Sequence, residues 1–269
     1  MKRSSKYGRI LTWVIYTFLM ASSTYAQELT VMTYNIHHGE FFYKRGESNL
    51  QQIADVINEY KPDFVALQEV DSLTNRSARF NQGVPQDLVR KLAELTSMHG
   101  FFGKAMDFEG GGYGEGILAR FPVQSRVYPL PTPMNGEGRA LLTVTHTLPN
   151  GQQIVFAGTH LCHEFGGNRL AQSIAVDSIL RQLKLPVVVG GDFNFRPDSE
   201  PYRAISTHFK DAALMYGSPK PTVTYANPRA RIDYIFLSGG HRWTVKRIQV
   251  IHNDASDHMP VLVTLSIGD

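Results

Sequence analysis

The sequence predicts an α/β domain in which two β-sheets pack face to face with helices outside. Three observations carry this. The chain opens strand, helix, strand, helix; its middle turns to hairpin-linked strands; and no run of Pro, Gly or Ser long enough to act as a linker divides the 269 residues. Hydrophobic residues make up 42% and charged residues 19%, an ordinary balance for a folded domain that excludes disordered and fibrous classes.

The elements follow in order. ELTVMTYN (28–35) alternates as a strand does, and Ser48 caps a segment in which Leu50, Ile53, Val56, Ile57 and Tyr60 fall at helical spacing. DFVALQEV (63–70) is a second strand, followed by a helix with Leu88, Leu92 and Leu95 on one face. EGILARFPV (115–123) leads to ALLTVTHT (140–147) and QIVFAGTHL (153–161), which are joined by LPNGQ, whose Asn-Gly favours a tight hairpin. A third helix over 168–183 presents Leu170, Ile174, Ile179, Leu180 and Leu183 before the strand PVVVGG (186–191). RIDYIFLS (231–238), WTVKRIQVI (243–251) and PVLVTLS (260–266) close the chain with strands, for a total of three helices and about ten strands. The glycine-rich stretches 107–116 and 131–138 are expected to be loops at the edge of a site.

Residues 1–26 have the order of a secretory signal peptide: four basic residues with no acid, an apolar stretch shorter than the roughly 20 residues of a membrane span, and Ala26 before Gln27. The domain is therefore expected over 27–269, in a protein exported to the periplasm or the exterior. Four of the 27 basic residues and none of the 24 acidic ones lie in that leader, so the remainder carries a net charge of −1. With no long basic run, nucleic acid is not the favoured partner. The single cysteine, Cys162, rules out an internal disulfide and reads as a small buried hydrophobe.

Polar residues that end apolar runs form a short set: Asn35 after VMTY, Glu69 after FVALQ, His160 after IVFAGT, and Asp192 and Asn194 after VVVGG. In α/β sheets the crevice beyond the strand ends is where ligands bind. Asp233 inside RIDYIF and the pair Asp257-His258 before the last strand belong to the same pattern. Several carboxylates brought into one cleft need a cation. Glu69, Asp192, Asp257 and the amide oxygen of Asn35 are hard oxygen donors suited to Mg²⁺ or Mn²⁺. Zinc on His160, Cys162 and His163 is the lesser reading, because His163 would point away from the other two on a strand.

TYNIHHG (33–39), LQEV (67–70), GTHL (158–161), GDFN (191–194), RIDYIF (231–236) and SDHMPV (256–261) resemble, in order, the motifs of the endonuclease/exonuclease/phosphatase superfamily. That group contains DNase I, abasic-site endonucleases, inositol polyphosphate 5-phosphatases and neutral sphingomyelinases. The resemblance implies a DNase I-like four-layer α/β/β/α sandwich with the site at one end of the two sheets. It implies Glu69 as principal metal ligand with Asn35 and Asp257 beside it, and Asp192 and Asn194 aligning the attacking water. His258 would contact the scissile phosphate, oriented by Asp233, and His160 would be the second histidine of the site.

A phosphodiester repels an anionic nucleophile, so such a site must supply a cation, a positioned water and donors for the developing charge. Asp192, ending a buried strand, is the better candidate for the base. Arg139 in NGEGRALL is a candidate for binding substrate phosphate, ahead of Arg169 at a helix start. Glu115, where many relatives of this type carry Asn, is expected outside the site. One of His37 and His38 is expected to line the cleft and the other to pack.

The reading that follows is an exported, metal-dependent phosphoesterase acting on a small or lipid-linked phosphodiester or phosphomonoester. The alternatives are a secreted nuclease acting on DNA or RNA through the same site, and a binding module that has lost the chemistry. The intact set of eight polar residues argues against the last. The aromatic run Phe41-Phe42-Tyr43 could stack on a base, touch a membrane lipid or close over the core, and nothing in the sequence sets an oligomeric state.

Overall fold

A computed structural model describes residues 28–268; the expected leader lies outside the described residues. Twelve strands run along the described residues: β1 (Glu28–Asn35), β2 (Phe64–Ser72), β3 (His99–Phe108), β4 (Gly111–Ala119), β5 (Gln124–Leu130), β6 (Arg139–Thr147), β7 (Gln153–His160), β8 (Val187–Asp192), β9 (Phe209–Asp211), β10 (Asp233–Ser238), β11 (Arg242–Val250) and β12 (Val261–Gly268). The helices are α1 (Leu50–Tyr60), α2 (Asn75–Arg79), α3 (Leu88–Thr96), α4 (Gly166–Gln182), α5 (Glu200–Ser206) and α6 (Ala212–Tyr216). Among the described residues no helix is long and apolar enough to cross a membrane.

The strands form two six-stranded sheets, β11-β12-β1-β2-β4-β3 and β5-β6-β7-β8-β10-β9. Period-two alternation sorts their side chains into layers. On β1, Leu29 and Val31 join the core between the sheets with Phe64, Ala66, Phe156 and Val188. Met32 and Tyr34 point the other way, under Ile53 and Ile57 of α1 and Leu88 and Leu92 of α3. On the second sheet Val187 and Val189 pack outward with Val176 and Leu180 of α4 and Tyr202 and Ile205 of α5. The expected four-layer α/β/β/α sandwich is what forms.

The short helices α2, α5 and α6 and the strands β3, β5 and β9 go beyond the sequence expectation. The stretch 107–116 is also not a loop. It is a two-residue turn between β3 and β4, and most of its glycines lie in the β4 ladder. Near the site the sheets approach closely: a Cβ on Gly158 would come 3.1 Å from the Ala66 side chain, and one on Gly190 would come 3.1 Å from that of Thr33.

Candidate active site

Strand register assembles the site. His160 ends β7 and pairs in register with Asp192, which ends β8, while Asp233 opens antiparallel β10 opposite Asp192. One row across three adjacent strands thus delivers an imidazole and two carboxylates to one sheet edge. Across the sandwich, Asn35 ends β1 in register with Gln68 of β2. Glu69 follows at a bulge in β2, with a left-handed φ of 58° that turns its carboxylate to the same end.

The side chains meet there. Asn35 Nδ2 donates to Glu69 Oε1 at 2.9 Å and to Asp192 Oδ2 at 3.1 Å, so one amide bridges the two sheets. Its Oδ1 accepts from the His37 backbone N–H at 3.1 Å, so the nitrogen, not the oxygen expected as a metal donor, faces the carboxylates. Asp192 Oδ1 accepts from the Asn194 backbone N–H at 3.0 Å. Asn194 itself lies beyond the strand with a φ of 51°, and its Nδ2 donates to Leu161 O and to His160 Nε2, both at 3.0 Å. Since Nε2 accepts, the His160 proton sits on Nδ1, which is buried without a partner. His258 closes the group: its Nδ1 lies 3.0 Å from both oxygens of Asp233, and its Nε2 lies 3.6 Å from Asp192 Oδ2.

Burial sets the charge states. It raises the Asp192 carboxyl, an effect that the His258 charge only partly offsets, leaving it pushed up to about 7. Burial works against the His258 imidazolium, but the carboxylates of Asp233 and Asp192 outweigh it and hold its pKa well above the usual histidine value. His160 goes the other way, driven well below by burial and by Arg139, and is neutral. Burial also acts on Glu69, yet the His38 imidazole 3.6 Å away, the Asn35 amide and the His258 charge keep it well below the usual carboxylate range. The result is one imidazolium, one neutral imidazole, an ionised Glu69 and an Asp192 poised near neutrality.

These groups line a cleft of about 360 Å³ that also takes in His38, Arg76, Phe108, Tyr113, Glu137, Arg139 and His163. Asp257 is half-buried next to His258 in the chain and accepts from the Ser256 hydroxyl at 3.3 Å; it is neither among the residues lining the cleft nor in the group formed by Asp192, Asp233 and His258. His38 is the histidine that lines the cleft, 3.6 Å from Glu69 Oε2, while His37 packs edge-on against Phe42. Glu115 corrects an expectation. Far from lying outside the site, it is 1% exposed beneath it, with the charges of Arg139, Asp192 and Glu69 acting on it, and burial raises its pKa well above the usual value. Cys162 is buried as expected, its sulfur accepting from the Phe165 N–H at 3.3 Å. His163 turns to Arg139, and Arg169 braces the same turn through the carbonyls of Cys162 and His163.

Two supporting residues carried no sequence signal. Asn49, fully buried, donates to the carbonyls of Ile36 and Ala255 and so ties the end of β1 to the loop before His258. Thr222 donates its hydroxyl to Asp233 Oδ2 and fixes that carboxylate from behind. Polar residues in glycine- and serine-rich connections give no local cue to such long-range partners.

Residues 32–258 match the model of the endonuclease/exonuclease/phosphatase family. The chain belongs to this family. An endonuclease, an exonuclease and a phosphatase share one chemistry, hydrolysis of a phosphate ester, and the protein is a hydrolase of that type. It is 24% identical over 252 residues to a UPF0294 protein of Vibrio campbellii, covering 90% of this chain and 79% of the relative. It is also 24% identical over 207 residues to an inositol phosphosphingolipids phospholipase C of Schizosaccharomyces pombe, covering 68% of this chain and 45% of that one. A solved endonuclease/exonuclease/phosphatase structure from Beutenbergia cavernae superposes with a TM-score of 0.73 at 27% identity, over 90% of this chain and 72% of that one.

Proposed function

We propose that the protein is an exported, Mg²⁺- or Mn²⁺-dependent phosphoesterase that hydrolyses a small or lipid-linked phosphodiester or phosphomonoester by attack of water on phosphorus. The observation that carries this is the row His160-Asp192-Asp233 facing Glu69, with His258 held between Asp233 and Asp192. Export rests on the character of residues 1–26, and the preference for small or lipid-linked esters rests on the net charge of −1 without that leader and the absence of a long basic run. The similarity to an inositol phosphosphingolipids phospholipase C is consistent with a lipid-linked substrate.

The donors fit a hard divalent cation. Glu69 is ionised and reaches the cleft, and its Oε1 and Asp192 Oδ2 share the Asn35 amide, so two carboxylates are held side by side there. Glu69 would be the principal ligand, its carboxylate held by the Asn35 amide nitrogen, and the ion would supply positive charge for a phosphoryl oxygen. Asp192 takes a proton from water aligned with the help of Asn194, which its raised pKa suits it to do near neutral pH. His258, kept protonated by Asp233, donates from Nε2 to the phosphate. Neutral His160 accepts from Asn194 and keeps that amide in place.

The test is hydrolysis by the chain lacking residues 1–26, with Mg²⁺ or Mn²⁺ and with or without chelator. The substrates are a generic phosphodiester, a phosphomonoester, phospholipids, plasmid DNA and RNA. Chelator-sensitive cleavage of the small esters or lipids is expected. Cleavage of nucleic acid alone would make the protein a nuclease, and no cleavage anywhere would make it a binding module.

A further inference from the structure

The cleft is also lined by residues of β3, β4 and α2, where Arg76 meets Phe108 and Tyr113. The Arg76 guanidinium lies 4.5 Å from the Phe108 ring centre and 5.3 Å from that of Tyr113. Its Nε and Nη2 donate to Asp71 Oδ2 and Oδ1 at 2.8 and 2.7 Å, and Asp71 is fully buried and also holds the Thr74 hydroxyl. Ring contact and two-pronged ion pair together fix the guanidinium in one orientation. Among the described residues no acceptor takes its Nη1 hydrogens, and Nη1 is not sealed from solvent.

Arg139 contrasts with it. Its Nη2 is engaged by Glu137 at 2.8 Å and by His163 at 3.2 Å, and its Nε and Nη1 are sealed without partners. Of the two arginines in the cleft, Arg76 is the one with an open donor edge.

We propose that Arg76 binds a second anionic group, a phosphate or carboxylate, on the alcohol portion of the substrate, and so selects phosphate esters whose leaving group is itself charged. This deepens the phosphoesterase reading and rests on it. A guanidinium only donates, and its free edge matches an oxyanion. The carboxylates paired with the two arginines, Asp71 and Glu137, already accept from them, so a neutral hydroxyl gains less from this wall than an oxyanion does. The guanidinium also stands over the Phe108 and Tyr113 rings, so the wall offers a charged platform instead of a bare aromatic face for a nucleobase.

Equilibrium binding separates this proposal from the catalytic reading, because it needs no turnover. In an Asp192→Asn background with Mg²⁺, calorimetric titration compares fructose 1,6-bisphosphate with fructose 6-phosphate. The bisphosphate is expected to bind about tenfold more tightly. Arg76→Lys, which keeps a charge for Asp71 but withdraws the outer donor edge, is expected to reduce the preference to about threefold or less with an unchanged melting temperature. If Arg76→Lys is destabilised, the double variant Asp71→Asn/Arg76→Gln replaces the ion pair with a neutral one and is expected to show the same loss. Equal binding of the two sugars, or a preference that survives in a folded variant, overturns the assignment. Ester hydrolysis accompanied by that outcome would remove Arg76 alone and leave the phosphoesterase standing.

Discussion

Both carboxylate oxygens of Asp233 lie 3.0 Å from His258 Nδ1, although the two residues are 25 positions apart in the chain. Asp233 opens a strand and His258 sits on a loop, and Thr222 ties the two together by donating to Asp233 and accepting the Met259 N–H through its carbonyl. The pair sets both the direction of the imidazole and its charge. Replacing Asp233 with Asn removes the carboxylate that most strongly counters burial, so the His258 pKa falls. The alkaline limb of kcat/KM is therefore expected to move to lower pH, with a fall of about two orders of magnitude at the optimum. A pH–rate profile of Asp233→Asn checks both.

Asp192 is the counterpart on the acid side. Its carboxyl is pushed up to about 7 by burial, so it holds its proton in the folded protein over a range where the unfolded chain has lost it. Its contribution to stability is full below the unfolded value of about 3.9 and is lost as pH rises through about 7. A carbon-13 titration of the Asp192 side chain in the presence of chelator is expected to give a midpoint near 7. A midpoint near 4 would show that burial does not dominate there.

Glu69 is predicted to carry the cation. Glu69→Gln keeps the shape and the Asn35 contact but removes the charge, and divalent-metal affinity measured by calorimetry is expected to fall by about tenfold or more. Chelator is expected to abolish activity of the unsubstituted chain.

The site stands on a packed strand end. Phe193, fully buried between Asp192 and Asn194, meets Phe195, Tyr234 and Phe236 with ring centres 5.1 to 5.8 Å apart. Phe193→Ala is expected to cost about 3–5 kcal/mol in denaturant unfolding, because the helices and sheet around it cannot close the gap.

The valines of 187–189 and the alternation of 28–35 made β8 and β1 legible, because strand periodicity is local. The same locality explains the misses. β3 mixes glycines, aromatics and charges without clean alternation, and β4 hides its ladder in a glycine run that reads as a loop. Asn194 reaches the site through a left-handed turn, not through continued strand alternation. Glu115 lies beneath the cleft because β4 pairs with β2 beside Glu69, a relation that no residue near Glu115 announces. Arg76 in NRSAR looks like any solvent-facing arginine until Asp71, Phe108 and Tyr113 are brought around it. The polar strand ends themselves were visible, since an acid or amide ending an apolar run stands out at once. Which of them touch depended on register across the sheets.

The central claim is that Asp192 and His258 together carry the hydrolysis. It is tested most directly by turnover of the unsubstituted chain, Asp192→Asn and His258→Asn with Mg²⁺ on the best ester of the panel, alongside thermal unfolding. The account predicts a loss of about three orders of magnitude in each variant with a preserved unfolding transition. Either variant retaining activity within about tenfold of the unsubstituted chain would contradict it.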